Sequence, residues 1–147
     1  MPSAIIVEDE ILAAERLRVL LNDCQIVLLK TFHHAQPALD WLGSHEVDIV
    51  FADIGLPEIN GLELVERIQR IAKRQPHVIF TTAYEEHALR AFELAAADYL
   101  LKPIKLARLQ KALDRVQEKD NEQADALTHF KVFNRDRMVE LPCQLTR

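Results

Sequence analysis

The stretch Val47-Asp48-Ile49-Val50-Phe51-Ala52-Asp53-Ile54-Gly55-Leu56-Pro57-Glu58-Ile59-Asn60-Gly61 begins as a short apolar run and ends as a turn. Ile49 to Ala52 has the length and composition of a buried strand. Asp53 stops the run, and Gly55, Pro57 and the Asn60-Gly61 pair mark the loop after it. A carboxylate at the end of a buried strand is costly to desolvate unless partners meet it there.

Working outward, strand-like and helix-like patterns alternate on both sides. Upstream, Ala4 to Val7 is an apolar strand running into Glu8-Asp9-Glu10, followed by a helix with Leu12, Leu17, Leu20 and Leu21 on its apolar face. Ile26 to Leu29 reads as a second strand. A short helix follows, with Pro37 in its first turn, where a missing N–H costs nothing, and Leu39, Trp41 and Leu42 inward. Downstream, Leu62, Leu64, Val65, Ile68 and Ile71 mark a helix, and His77 to Phe80 a fourth strand ending in Thr81-Thr82. Glu85 to Ala95 is a weakly amphipathic helix carried by Ala88, Ala91, Phe92 and Ala95. Tyr99 to Leu101 is a fifth strand, closed by Lys102-Pro103, and Leu106, Leu109, Leu113 and Val116 give a last helix.

Five βα units in succession predict an α/β fold. Continuous apolar strands imply a parallel sheet covered on both faces, and right-handed crossovers make it doubly wound. In such sheets the site lies beyond the carboxyl ends of the strands. Glu8, Asp9, Asp53, Thr81, Thr82 and Lys102 all reach that one edge. Clustered carboxylates favour a hard divalent cation with oxygen ligands, most plausibly Mg²⁺. A metal with a lysine offsets the charge of a transferring phosphoryl group, and a carboxylate can itself be the nucleophile.

Composition bounds the alternatives. The 147 residues fit one domain with a short appendage, and 49% hydrophobic content suffices for a core. A net charge of −5 argues against a strong non-specific hold on nucleic acid by these residues. No GxGxxG or Walker pattern is present, so dinucleotide binding is a poor fit. Cys24 and Cys143 match no metal spacing and read as free thiols. With no basic leader and no apolar run near the ~18 residues of a membrane span, a cytoplasmic protein without membrane partners is expected.

Glu8-Asp9, Asp53 with Pro57 and Gly61, Thr82-Ala83, Tyr99 and Lys102-Pro103 together resemble the receiver domain of bacterial two-component response regulators, a flavodoxin-like fold. The resemblance implies that Asp53 is the phosphoacceptor, taking its phosphoryl group from the phosphohistidine of a sensor histidine kinase. It implies Mg²⁺ bound directly by Asp9 and through water by Glu8, with Asp53 and the Gly55 carbonyl completing the protein ligands. Thr82 hydrogen-bonds the phosphoryl oxygen, Lys102 pairs with it, Tyr99 is the aromatic switch, and the peptide before Pro103 is cis. Glu8 stands where an aspartate is more usual, and Gly55 leaves the rim beside Asp53 open.

Ile79 to Ala88 and Ala97 to Ile104 further resemble receivers attached to LytTR DNA-binding domains. The reading is a receiver over 1–120, a linker over 121–128 and the beginning of a truncated LytTR-like output domain over 129–147. Phe130 to Phe133, a turn at Asn134 to Arg137 and Met138 to Pro142 read as its opening hairpin. DNA binding then resides in an output domain missing from these residues, and both a cut within it and a naturally short protein fit the pattern. The protein is expected to switch transcription; the alternative is a stand-alone receiver signalling by protein contact. An aspartyl-phosphate hydrolase expects a second acid where Gly55 stands, so no enzyme activity is expected. A homodimer is expected through the fourth helix, fifth strand and fifth helix, with Arg90, Glu93, Asp98, Arg108 and Arg115 among the charges on that face.

Each residue alone has a plainer reading. Glu8-Asp9-Glu10 suits a helix amino terminus, and Asp53 suits a turn start. Lys102 suits solvent, Tyr99 the core, and the six histidines, His33-His34 included, surface or core. Their meeting at one edge is what favours the functional reading.

Overall fold

The computed structural model describes residues 1–136, with side chains through residue 121. Its elements are β1 (Ser3–Val7), α1 (Ile11–Asn22), β2 (Val27–Phe32), α2 (Ala35–Leu42), β3 (Ile49–Asp53), α3 (Gly61–Ile71), β4 (His77–Thr82), α4 (Ala88–Glu93), β5 (Asp98–Leu101) and α5 (Leu106–Asp136). The strands form one parallel sheet in the order β2-β1-β3-β4-β5. The chain runs outward from β1 to β2, then crosses back to β3, so the order reverses between β1 and β3, the two strands that deliver acids.

Alternation along the strands sends side chains to two buried faces. Ile5, Val7, Val50, Ala52, Val78 and Phe80 pack with Leu39 and Leu42 of α2 and Leu64, Val65 and Ile68 of α3. Ile6, Phe51, Ile79 and Leu100 turn the other way and are also buried, as are Ala14, Leu17 and Leu21 of α1 and Leu109 and Ala112 of α5. Burial on both faces is why Ala4 to Val7 of β1 and Ile49 to Ala52 of β3 are unbroken apolar runs.

Several boundaries differ from the sequence reading, each for a physical reason. The second strand runs on through Lys30 and Thr31 to Phe32. It is an edge strand, so polar side chains and half-exposed Val27 and Leu29 cost little. Leu12 is 78% exposed, on the outer side of α1. The helix expected over Glu85–Ala95 shrinks to Ala88–Glu93, and Phe92, expected inward, is 79% exposed. Ala95 ends it with a φ of 61°. Its N–H bonds the Phe92 carbonyl and the Ala96 N–H bonds the Ala91 carbonyl, the bond pair of a Schellman turn.

The appendage also differs. The helix α5 continues to Asp136, so the expected linker at 121–128 and the expected strand at Phe130–Phe133 are helical. No glycine or proline interrupts the sequence from Ile104 to Leu141, and Glu, Gln, Ala and Lys dominate 117–127, which favours helix propagation. The second half of the expected hairpin, Met138 to Pro142, lies outside the described residues. The chain divides into two units, Met1–Ala112 and Leu113–Arg147. Among the described residues no helix is long and apolar enough to cross a membrane.

Candidate functional site

Parallel register delivers the strand ends to a common edge. Asp53 lies opposite Thr81, and Thr82 opposite Leu101, so β3, β4 and β5 finish within a residue of one another. Asp53 itself is buried at the last position of β3. Its position is set from behind by α3. Asn60 caps that helix by accepting the Glu63 N–H at 2.9 Å, and the Gly61 N–H donates to the Ile54 carbonyl at 2.9 Å. A Cβ on Gly61 would stand 2.4 Å from the Asp53 carbonyl oxygen. Only glycine lets the helix start this close to the strand.

Glu8, Asp9 and Asp53 each bring a carboxylate oxygen within 4.8 Å of the others. Lys102 reaches in from the end of β5, with its Nζ 2.7 Å from Glu8 Oε1, 3.4 Å from Asp53 Oδ1 and 4.0 Å from Glu10 Oε1. The Lys102 N–H donates to the Thr82 carbonyl at 2.7 Å, and the Lys102–Pro103 peptide is cis. Asp53 Oδ1 also accepts the Gly55 N–H at 3.1 Å. Thr82 Oγ1 accepts the Tyr84 N–H at 3.2 Å, while the Tyr99 hydroxyl donates to the Tyr84 carbonyl. Asp9, Asp53, Gly55, Thr82, Tyr84 and Lys102 line an open cleft of about 470 Å³, to which Asn60, Glu86 and His87 also contribute.

Burial is the main force on the Glu8 carboxyl. It raises the pKa to about 7, helped by the neighbouring Asp53 and opposed by the hydrogen bond from Lys102. Burial also works against the charge on Lys102, but Glu8 and Asp53 outweigh it and hold its pKa above the ordinary lysine value. Three acids facing one ammonium leave an excess of negative charge in a confined space. The donor set is all oxygen, and that charge and chemistry fit a small hard cation such as Mg²⁺.

All the sequence-predicted strand-end residues therefore gather at one edge. Gly55 is exposed on the rim, and a Cβ there would meet Asp53 only at ordinary contact distance, 3.8 Å. On the expected pairing face, several of the charges are engaged within the chain. Asp98 is only 8% exposed, and Arg108 grips it with bonds of 2.9 and 2.7 Å, stitching β5 to α5. Arg90 is engaged by Glu66 of α3 and lies 3.4 Å from Glu93. These charges serve the fold of their own chain, and what the face offers is apolar: Leu89 is 71% exposed, and Tyr84, Phe92 and Leu101 are also exposed. His33 is a residue the sequence reading missed. Its Nδ1 lies 2.9 Å from the Glu8 carbonyl, a contact between strand ends that no spacing could reveal.

Comparison with known proteins agrees with this geometry. The family model for the response regulator receiver domain matches residues 4–114. The transcriptional regulatory protein BtsR of Escherichia coli (strain K12) is 36% identical over 144 residues, covering 97% of this chain and 58% of that protein. YpdB of the same strain, another transcriptional regulatory protein, is 35% identical over 133 residues, covering 90% of this chain and 54% of that one. This chain thus spans little more than half the length of these relatives. The crystal structure of the response regulatory domain of mrkE from Klebsiella pneumoniae superposes with a TM-score of 0.74 at 36% identity, over 82% of this chain and 98% of that one. With the family model covering the whole βα array up to α5, the chain belongs to the response regulator receiver domain family.

Proposed function

We propose that Asp53 accepts a phosphoryl group from the phosphohistidine of a sensor histidine kinase and that this switches a transcriptional output. One Asp53 carboxylate oxygen attacks phosphorus, the P–N bond breaks, and the departing imidazole takes up a proton. Glu8, Asp9 and Asp53, with the Gly55 carbonyl, would hold Mg²⁺, which supplies charge stabilisation to the transferring group. Lys102 neutralises a phosphoryl oxygen from the other side, and the Thr82 hydroxyl donates to another. Thr82 Oγ1 already accepts the Tyr84 N–H, and Tyr84 in turn takes the Tyr99 hydroxyl. A pull on Thr82 is thereby passed to the loop before α4 and to the switch aromatic.

The observation that carries this reading is the meeting of buried Asp53 with Lys102 at 3.4 Å inside a three-carboxylate cluster. The chain acts as an acceptor and not as an enzyme with turnover. A LytTR DNA-binding output is supported by the likeness of 79–88 and 97–104 to such receivers and by the transcriptional regulators among the relatives. The exposed apolar side chains on α4 and β5 favour pairing of two phosphorylated copies through that face.

The test is intact mass after incubation with a small acyl phosphate. The wild type should gain one phosphoryl group in Mg²⁺ and none in chelator, and Asp53→Asn should gain none in either. A gain of equal size on Asp53→Asn would overturn the assignment.

A further inference from the structure

The paired histidines His33-His34 leave the end of β2 toward different loops. His34 Nδ1 lies 3.4 Å from Glu58 Oε2 on the loop after β3, and both side chains are exposed. An exposed pair of this kind contributes little. His33 is half-buried and meets the Glu8 carbonyl at 2.9 Å. Because a carbonyl oxygen can only accept, the His33 ring carries its proton on Nδ1 and donates it. The Glu8 N–H donates to the Phe32 carbonyl at 2.9 Å. Both backbone groups of Glu8 are thus held by consecutive residues at the end of β2, just where the chain leaves the sheet.

We propose that His33 is a positioning residue for the acidic cluster: its imidazole fixes the backbone from which the Glu8 carboxylate reaches the cation site. The Glu8 side chain already answers to two other groups, Lys102 Nζ at 2.7 Å and the Glu10 N–H at 3.2 Å. Glutamate has one more rotatable bond than the aspartate usual at this position, so its carboxylate is less confined by its own stem. A fixed backbone restores part of that confinement. The proposal rests on the metal reading above, and its test separates the two.

The experiment is calorimetric titration of the purified chain with MgCl₂, paired with thermal unfolding in chelator. The variants are His33→Ala, His33→Asn, His33→Gln and His34→Ala, with Asp9→Asn as the metal-site control. Asparagine carries an N–H donor at the same bond separation as Nδ1, and glutamine carries it one bond farther out. His33→Ala and His33→Gln should bind Mg²⁺ about five- to tenfold more weakly than wild type, while His33→Asn and His34→Ala stay within about twofold. Equal Mg²⁺ affinity in His33→Ala and wild type would overturn the role of His33 and leave the metal site standing. Weak binding in His33→Asn as well, with a lowered unfolding temperature in chelator, would reduce His33 to a structural residue and overturn it too. A wild type that binds no better than Asp9→Asn would remove the metal reading and this proposal with it.

Discussion

At the scale of single residues, the acid at position 8 has the largest consequence. The Glu8 pKa, raised by burial from 4.5 to about 7 in the folded state, means that the native protein holds this proton more tightly than the unfolded chain. The stability it contributes is therefore fully present below about pH 4.5 and is lost as pH rises through about 7. Glutamine cannot ionise. In chelator, wild type should lose ~2 kcal/mol more stability than Glu8→Gln between pH 5 and pH 8. Urea unfolding midpoints at the two pH values measure this; parallel losses in both proteins would show that Glu8 does not carry the effect. Asp53 and Glu8 were visible in the sequence because each ends an apolar run. His33 was not, because its role is a bond to the backbone of a residue 25 positions away, and such bonds leave no period in a sequence.

At the scale of elements, the least secure helix is α4. It is six residues long, buries Ala91 as its anchor, and closes on an alanine in the left-handed region. Its other ties are polar, from Gln69 to the Leu94 carbonyl at 3.0 Å and from Arg90 to Glu66 of α3. A left-handed alanine costs roughly 1–2 kcal/mol that glycine avoids, less what glycine loses on folding. Ala95→Gly should therefore stabilise the protein by ~0.5–1 kcal/mol and raise the thermal midpoint; an unchanged or lowered midpoint would contradict the cap geometry. The sequence pattern overextended this helix at both ends, taking in Glu85 to His87 before it and Leu94 and Ala95 after it, because alanine gives no sign that Ala95 turns out of the helix. The same blindness to context placed Asp98 among the charges of a pairing face, when Arg108 in the first turn of α5 engages it. The helix α5 went the other way, since apolar residues at Phe130, Val132 and Phe133 suggested a strand where uninterrupted helix formers prevail.

At the scale of the whole molecule, the sheet order explains why so much was legible. In a parallel sheet buried on both faces, the middle of each central strand must be apolar, so the first polar residue after that run marks the functional edge. Ala52 and Asp53 make that transition on β3, and Val7 and Glu8 make it where β1 ends. Edge strands escape this rule, and β2 was accordingly ended three residues early, at Leu29 where the strand runs to Phe32. The apolar patch of Leu89, Phe92 and Leu101 has no counterpart in that logic, since exposure is set by neighbours. If it pairs two copies, the wild type treated with acyl phosphate and Mg²⁺ should sediment as a dimer. Phe92→Glu, fully phosphorylated, should remain a monomer at concentrations about tenfold higher. A wild type that stays monomeric when phosphorylated would exclude pairing through this face. At the opposite edge of the sheet, Asp48 accepts the Ser3 N–H at 2.8 Å and the Arg74 guanidinium at 2.6 Å. That junction has a mechanical meaning. A load applied ahead of Ser3 runs along β1, whose two parallel neighbours then resist it in shear, with many bonds strained at once. Tethered by that end, the molecule would stand with its acidic cleft turned away from the anchor.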